Sequence, residues 1–155
     1  MRIITLIFPV YNDWESLRLL LRKIEKKIKK KECKFRVLII NDNSTRKNKK
    51  KLNHNKLYEN IKSINLKLNL GSQKAIATGI KYIASNLRNF GKDFIIMDSD
   101  GEDDYSKISK ILNLTKRNKE IGIITVNRSS RKESLIFRIL YEIHLIVTFF
   151  LTYKY

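Results

Sequence analysis

Ile3-Ile4-Thr5-Leu6-Ile7-Phe8-Pro9-Val10, followed at once by Tyr11-Asn12-Asp13, is the stretch that decides the fold. Its apolar residues are continuous rather than alternating. That is the pattern of a strand covered on both faces, found in parallel sheets flanked by helices. Four further apolar runs repeat it, at 35–40, 61–66, 94–97 and 121–126. Helical spacing separates them. Trp14, Leu17, Leu21, Ile24 and Ile28 recur every three or four residues, with Asn12 as candidate N-cap and Glu15 at the capping-box position. Ser72 opens a second helix carrying Ile76, Ile80, Ile83 and Leu87, and Ser106 a third carrying Ile108, Ile111 and Leu112. Strands alternating with helices make βαβ units, so the expected class is α/β: a Rossmann-like, mostly parallel sheet with right-handed crossovers and helices on both faces.

Composition agrees with one such domain. The chain has 155 residues, 43% of them hydrophobic, which is enough to close a single core and excludes global disorder. Cys33 is the only cysteine, so an intramolecular disulfide and a cysteine zinc cluster are both excluded, and His54 and His144 sit in no metal-ligand pattern. The net charge of +18, from 33 Lys and Arg against 15 Asp and Glu, points to an anionic partner: nucleic acid, phospholipid or a phosphorylated substrate. A Lys-, Asn- and Ile-heavy codon bias explains the same excess. The Lys- and Asn-rich stretch 44–56 reads as a solvated loop, and 23–34 as a basic helix end that touches anionic lipid or simply faces water.

The apolar start meets Pro9 and lacks a small-residue cleavage site, so no signal peptide is expected and the amino end is placed in the cytoplasm. At the other end, 135–153 is strongly apolar but contains Arg138, Glu142 and His144. Its longest uncharged run falls short of the roughly 18 residues of a membrane span. It reads as a helix lying on a membrane surface, or as the approach to a span.

In an open parallel sheet, ligands bind beyond the carboxyl ends of the strands. The residues there are Pro9 to Asp13, Asn41 to Ser44, Asp98 to Asp104, and Asn127-Arg128 with Arg131. Five of the 15 acids lie within the seven residues from Asp98 to Asp104. Asp98 and Asp100, two apart at a strand end, can turn their carboxylates toward one point, and Glu102 can follow them round the turn. Hard oxygen ligands so spaced suit Mg²⁺ or Mn²⁺ holding a substrate diphosphate. The same run also reads as a solvated acidic turn capping the next helix. An EF-hand loop is excluded, because the positions that need Gly and Glu hold Asp103 and Ser109. Gly71, Ser72, Gln73 and Lys74 open the second helix, whose free N–H groups attract phosphate, although the spacing is not that of a P-loop.

Taken in order, these strand ends resemble the family 2 glycosyltransferases of GT-A fold. They resemble in particular the dolichol-phosphate mannosyltransferase-like and bacterial polyprenyl-phosphate glycosyltransferase branch. Phe8-Pro9-Val10-Tyr11-Asn12-Asp13 is similar to V-P-x-Y-N-E, and Ile40-Asn41-Asp42-Asn43-Ser44-Thr45 to V-D-D-G-S-T. Asn69-Leu70-Gly71-Ser72-Gln73-Lys74-Ala75 with Gly79 is similar to N-x-G-x-x-x-A and its later Gly. Met97 to Asp103 is similar to the D-A-D-L-Q-D segment, and Arg128 to Ser134 to an R-x-x-R-x-x-S stretch before an interfacial helix.

The resemblance implies roles. Pro9, Tyr11, Asp13 and Asp42 line the nucleotide's base and ribose, with Asn12, Gly71, Lys74 and Asp98 completing the donor-binding set. Asp98, Asp100 and Glu102 hold Mg²⁺ or Mn²⁺, Glu102 standing where the branch usually has Gln. Asp100 with Arg128 and Arg131 forms the catalytic group, the arginines binding phosphate of donor or acceptor. Residues 1–134 are then a nucleotide-sugar-binding GT-A domain and 135–155 an amphipathic interfacial helix. The chain stops soon after it, which reads as truncation. The implied reaction is metal-dependent, inverting transfer of a sugar from a UDP- or GDP-sugar to a polyprenyl (dolichyl or undecaprenyl) phosphate at the cytoplasmic face of the cell membrane. Surface polysaccharide synthesis is the alternative within the family. A non-catalytic basic module on anionic lipid or nucleic acid is the alternative outside it; nucleic acid is not the expected partner, because most aromatics sit in strands or in the last helix rather than on the basic face. Asn41 in place of the first acid of D-D-x-S, and Asp104 and Tyr105 in place of prolines, depart from the pattern.

Overall fold

The computed structural model describes residues 2–28, 33–48, 52, 57–91, 93–117, 122–126 and 135–152. In chain order it contains β1 (Ile3–Val10), α1 (Trp14–Lys27), β2 (Lys34–Asn41), β3 (Tyr58–Asn65), α2 (Ser72–Ser85), the short α3 (Leu87–Phe90), β4 (Phe94–Ile96), a 3₁₀ turn (Tyr105–Lys107), α4 (Ile108–Arg117) and α5 (Leu135–Thr152). The sheet order is β3-β2-β1-β4 and every pairing is parallel. This is the α/β architecture expected from the apolar runs.

β1 and β2 pair along their whole length, Ile3 with Lys34 through Val10 with Asn41. As the two central strands they alternate side chains between two covered faces. Ile4, Leu6, Phe8, Phe35, Val37 and Ile39 meet Leu17, Leu20 and Ile24 of α1 and Ile108 and Leu112 of α4. Ile7, Leu38 and Ile40 meet Ala75 and Ile83 of α2 and Phe90 of α3. Burying a side chain such as Phe8, Phe35 or Leu17 contributes about 1.5–3 kcal/mol each, so these two layers carry most of the fold's stability.

Several expectations need correction. Among the described residues the third and fourth runs are edge strands, not doubly covered ones: β3 is mostly exposed, and β4 has three residues with Phe94 42% and Ile96 39% exposed. The fifth run makes no strand in its described part, 122–126, where Ile123 is 86% exposed. Apolar content alone does not make a strand, because ordering the backbone is offset only where a neighbour accepts the ladder hydrogen bonds. Asn12 is not the cap of α1. Its φ of +67° is left-handed, Asp13 holds the N-cap position, and Glu15 pairs with Arg18 rather than closing a capping box. On α2 the buried residues are Ala75, Gly79 and Ile83, while Ile80 and Leu87 are exposed and Leu87 belongs to α3. Small residues win that face because the helix lies close to the sheet: a Cβ at Gly79 stands 3.1 Å from both Ile7 and Ile40.

By contact the chain divides into two compact units, 1–119 and 120–155. α5 begins at Leu135, inside the second unit, whereas the contact boundary falls at 119/120 rather than at the expected 134/135. Along α5, residues 139–148 are all exposed, with Ile139, Leu140, Ile143, Ile146 and Val147 each about half uncovered. Among the described residues no helix is long and apolar enough to cross a membrane.

Tyr58 begins β3 in the core and its hydroxyl donates to the Leu21 carbonyl at 2.6 Å. Burial, and secondarily the charge of Glu25, push this hydroxyl well above the ordinary tyrosine range. Because the folded state then holds the proton more tightly than the unfolded chain, its contribution is complete below about pH 10 and declines as pH rises beyond that. Tyr58→Phe is expected to cost about 1 kcal/mol at neutral pH and to flatten the loss of stability on the alkaline side. Urea melts at pH 7 and at alkaline pH check both; an equally steep alkaline loss in the variant contradicts the assignment.

Candidate functional site

The strand order runs outward from β1 in both directions, with β2 and β3 on one side and β4 on the other, so the topology switches between β1 and β4. That is where a crevice opens at the carboxyl ends of the strands. A cleft of about 260 Å³ lies there, lined by Pro9, Val10, Tyr11, Asp13, Asp42, Ser72, Asp98, Ser99 and Asp100. Of the residues expected at the site, the structure therefore brings together Pro9, Tyr11, Asp13, Asp42, Asp98 and Asp100. Val10 and Ser99, inside the expected strand-end segments but given no role of their own, line the cleft as well. Ser99 is buried between the two aspartates, and its place inside the D-x-D run was the available signal.

Asp42 is the post on which the cleft is built. Only 2% of it is exposed; its two carboxylate oxygens accept from Leu70 N and Gly71 N, both at 2.8 Å, while its own N–H donates to the Val10 carbonyl at 2.8 Å. One residue thus ties β1, β2 and the start of α2 together. Gly71, at φ +84°, takes a left-handed conformation that favours glycine and lets the chain turn into α2. The helix consequently aims its first residue, Ser72, at the cleft, where unpaired N–H groups and the dipole favour an anion. Gly71 and Lys74 themselves are exposed and lie outside the lining.

Asn12 also lies outside the lining and does a different job. Its side-chain oxygen accepts from Arg46 N at 2.8 Å and Thr45 Oγ1 at 3.1 Å, and its backbone N–H donates to Ser44 Oγ at 2.9 Å. It fastens the loop after β2, leaving its neighbours Tyr11 and Asp13 to face the cleft.

The acidic run divides between the turn and the cleft. Asp103 accepts from Asp98 N at 2.9 Å and Asp104 accepts from Ser106 N at 3.0 Å, so these two shape the turn and cap the 3₁₀ segment. The hydrogen bonds from Ser106 hold the Asp104 carboxyl below its usual range. Asp98 and Asp100 instead line the cleft, with Asp100 Oδ1 also accepting from Glu102 N at 2.9 Å across Gly101. The expected three-carboxylate metal set is not gathered: Glu102 lies outside the lining, and among the described residues no group of three His, Cys, Asp or Glu converges. The Glu102 backbone N–H donates to Asp100 Oδ1 across the turn at Gly101. Two carboxylates still fit Mg²⁺ or Mn²⁺, which are commonly held by one or two carboxylates plus substrate phosphates and waters. Arg128 and Arg131 lie outside the described residues.

Residues 5–154 match the family model described as Glycosyl transferase family 2. Among solved structures, the chain is similar to TarS 1-349 of S. aureus, with a TM-score of 0.50 and 20% identity over 86% of this chain and 40% of that one. It is also similar to TarS 1-349 in complex with UDP-GlcNAc, with a TM-score of 0.49 and 21% identity over 86% and 39%. The chain thus spans about 40% of the length of TarS 1-349, with which it shares the fold. No curated protein matches it.

Proposed function

The chain belongs to glycosyl transferase family 2, and on that premise we propose that its cleft binds the nucleotide diphosphate of a UDP- or GDP-sugar and serves transfer of the sugar to a polyprenyl phosphate. The observation that carries the reading is the meeting, at one topological switch point, of Tyr11 and Asp13 after β1, Asp42 after β2, Asp98 and Asp100 after β4, and the N-terminus of α2.

Tyr11, 45% exposed beside Pro9, offers a ring face for the base, while Asp13 and Asp42 supply acceptors for base and ribose hydroxyls. The α2 terminus at Ser72 draws the phosphates inward. Asp98 and Asp100 would hold Mg²⁺ or Mn²⁺ on the diphosphate, where the cation offsets the charge of the leaving group. The acceptor phosphate is already an anion at neutral pH, so the residues need supply no general base and no protein nucleophile. Attack from the face opposite the diphosphate forms the new glycosyl–oxygen bond as the bond to the diphosphate breaks, inverting the anomeric carbon. Arg128 and Arg131 keep the phosphate-binding role that the sequence motif assigns.

The polyprenyl acceptor, rather than a growing polysaccharide, is supported by α5. Its apolar side chains from Ile139 to Val147 are exposed around the helix, and Arg138 near its start suits anionic headgroups. The place of action is then the cytoplasmic face of a membrane. Calorimetry with UDP- and GDP-sugars in Mn²⁺ tests the donor half, and sedimentation with anionic liposomes at low salt tests the acceptor half. The expected results are saturable nucleotide-sugar binding and salt-sensitive liposome binding that is lost on deleting 135–155. Donor binding without liposome binding transfers the assignment to a saccharide acceptor; no donor binding overturns the reading.

A further inference from the structure

From Asn60 to Lys92 the chain carries six Lys and Arg and not one Asp or Glu, so all 15 acids lie elsewhere. A Lys-rich codon bias adds cations, but it does not remove acids. The segment folds into one layer of the 1–119 unit: β3 at the sheet edge, the loop 66–71, then α2 and α3, which cover Ile7, Leu38 and Ile40 from that side. Lys67, Lys74, Lys81 and Arg88 are exposed along it. The acids that bracket the segment are both paired, Glu59 with Arg36 at 2.7 Å and Asp93 with Arg2 at 2.9 Å. The carboxylates of the cleft begin only beyond Ser72.

Aliphatic side chains stand among these cations. Leu68 is 66% exposed and Leu70 43%, and Ile80 of α2 and Leu87 of α3 are exposed as well. The loop that presents Leu68 is fastened on either side of it, by Leu66 N donating to the Asn41 carbonyl at 2.9 Å and Leu70 N to Asp42 Oδ1 at 2.8 Å. On α2 the outward positions Gln73, Ala77, Ile80 and Ala84 are uncharged, with Lys74 and Lys81 beside them. A surface that meets only water usually mixes charges of both signs. Aliphatic groups set among cations, with no acid between them, match the headgroup and upper acyl region of an anionic bilayer. Nucleic acid fits less well, because it calls for exposed aromatic faces, whereas Tyr58 and Phe90 are buried and Tyr82 is half-buried against Phe90.

We propose that the layer formed by the loop 66–71 and the outer side of α2 and α3 is a docking face for an anionic phospholipid surface. Leu68 and Leu70 enter the acyl boundary, and Lys67, Lys74, Lys81 and Arg88 meet headgroup phosphates. The face borders the cleft at Ser72, so docking through it sets the cleft mouth beside the lipid, where a membrane-held acceptor phosphate lies. The inference deepens the membrane half of the proposed function and rests on it. This contact adds to that of α5 and does not depend on what the cleft binds.

Cys33, the only cysteine in the chain, is buried, so Leu68→Cys takes an environment-sensitive dye selectively. Leu19→Cys is the control, exposed on α1 at the opposite side of the sheet. With the full chain at low salt, phosphatidylglycerol vesicles are expected to raise the emission of the dye at position 68, and doxyl-labelled lipids to quench it, while the dye at position 19 stays in water. Lys67→Glu with Lys81→Glu is expected to weaken vesicle binding at least about tenfold, and Lys26→Glu with Lys110→Glu, the same charge change on α1 and α4, by less than about threefold. A vesicle-bound chain whose dye at position 68 stays in water overturns the docking face and leaves the α5 contact standing. Equal shielding at positions 19 and 68, or equal weakening by the two charge pairs, also overturns it. An equal response of the dye at position 68 to oligouridylate gives the face to nucleic acid instead, and a chain that binds no vesicles overturns this inference together with the membrane reading.

Discussion

Asp42→Ala is expected to lower the unfolding free energy by about 2–4 kcal/mol, because it strips two backbone donors, Leu70 N and Gly71 N, of a charged acceptor at a nearly inaccessible position. Asp42→Asn should recover only part of this, since one carboxylate oxygen becomes an amide that faces an N–H donor. The loss has a functional shadow: with its tether gone, the loop no longer fixes Ser72 at the cleft, and nucleotide affinity falls as well. Asp13→Ala is the control, because Asp13 lines the same cleft but is exposed. Urea titration separates the two; the midpoint should drop in Asp42→Ala with an unchanged slope and stay nearly constant in Asp13→Ala. If both variants unfold at the parental midpoint, Asp42 does not tie β1, β2 and α2 together.

Asp100→Ala should remove Mn²⁺-dependent donor binding by at least about 100-fold, since a two-carboxylate site that loses one ligand retains little hold on the cation. Its stability should change by no more than about 1 kcal/mol, because Asp100 is exposed and loses only the turn bond from Glu102 N. Glu102→Gln separates the two-carboxylate reading from the three-carboxylate one. Since Glu102 lies outside the cleft lining, its neutralisation should leave Mn²⁺ affinity nearly unchanged. Isothermal titration of Mn²⁺ with UDP- and GDP-sugars reads both variants. A Glu102→Gln affinity as weak as that of Asp100→Ala restores Glu102 to the metal, and parental binding in Asp100→Ala removes the metal from this cleft.

Much of this molecule was legible because the informative signals are local. The unbroken apolar runs of β1 and β2 exist because both faces of those strands are covered, and the helical spacing from Trp14 to Ile28 exists because one face of α1 is. Polar residues that follow an apolar strand at once mark the carboxyl ends of the sheet, so Pro9, Tyr11, Asp13, Asp42, Asp98 and Asp100 were identifiable without coordinates. Where one pattern served two physical roles, sequence reading stopped. Acids in a turn coordinate cations or cap helices with the same side chain, and only geometry divided Asp98 and Asp100 from Asp103 and Asp104. Asn12, in a motif at a strand end, was equally ambiguous until its bonds to Thr45 and Arg46 showed it fastening a loop.

By itself, then, the sequence determined the α/β class, the mostly parallel character of the sheet, and the strand-end segments that border the cleft. Those follow from periodicity and from where polarity changes along the chain. Only the tertiary structure decided that β3 and β4 are edges among the described strands, that α2 packs through Ala75, Gly79 and Ile83 while Ile80 faces solvent, and that Asp98 and Asp100 line the cleft without Glu102. Each of those depends on distances between segments remote in sequence. How closely a helix approaches a sheet, and which side chains face a shared space, are set by the packing of all the elements at once and leave no periodic trace in any one of them.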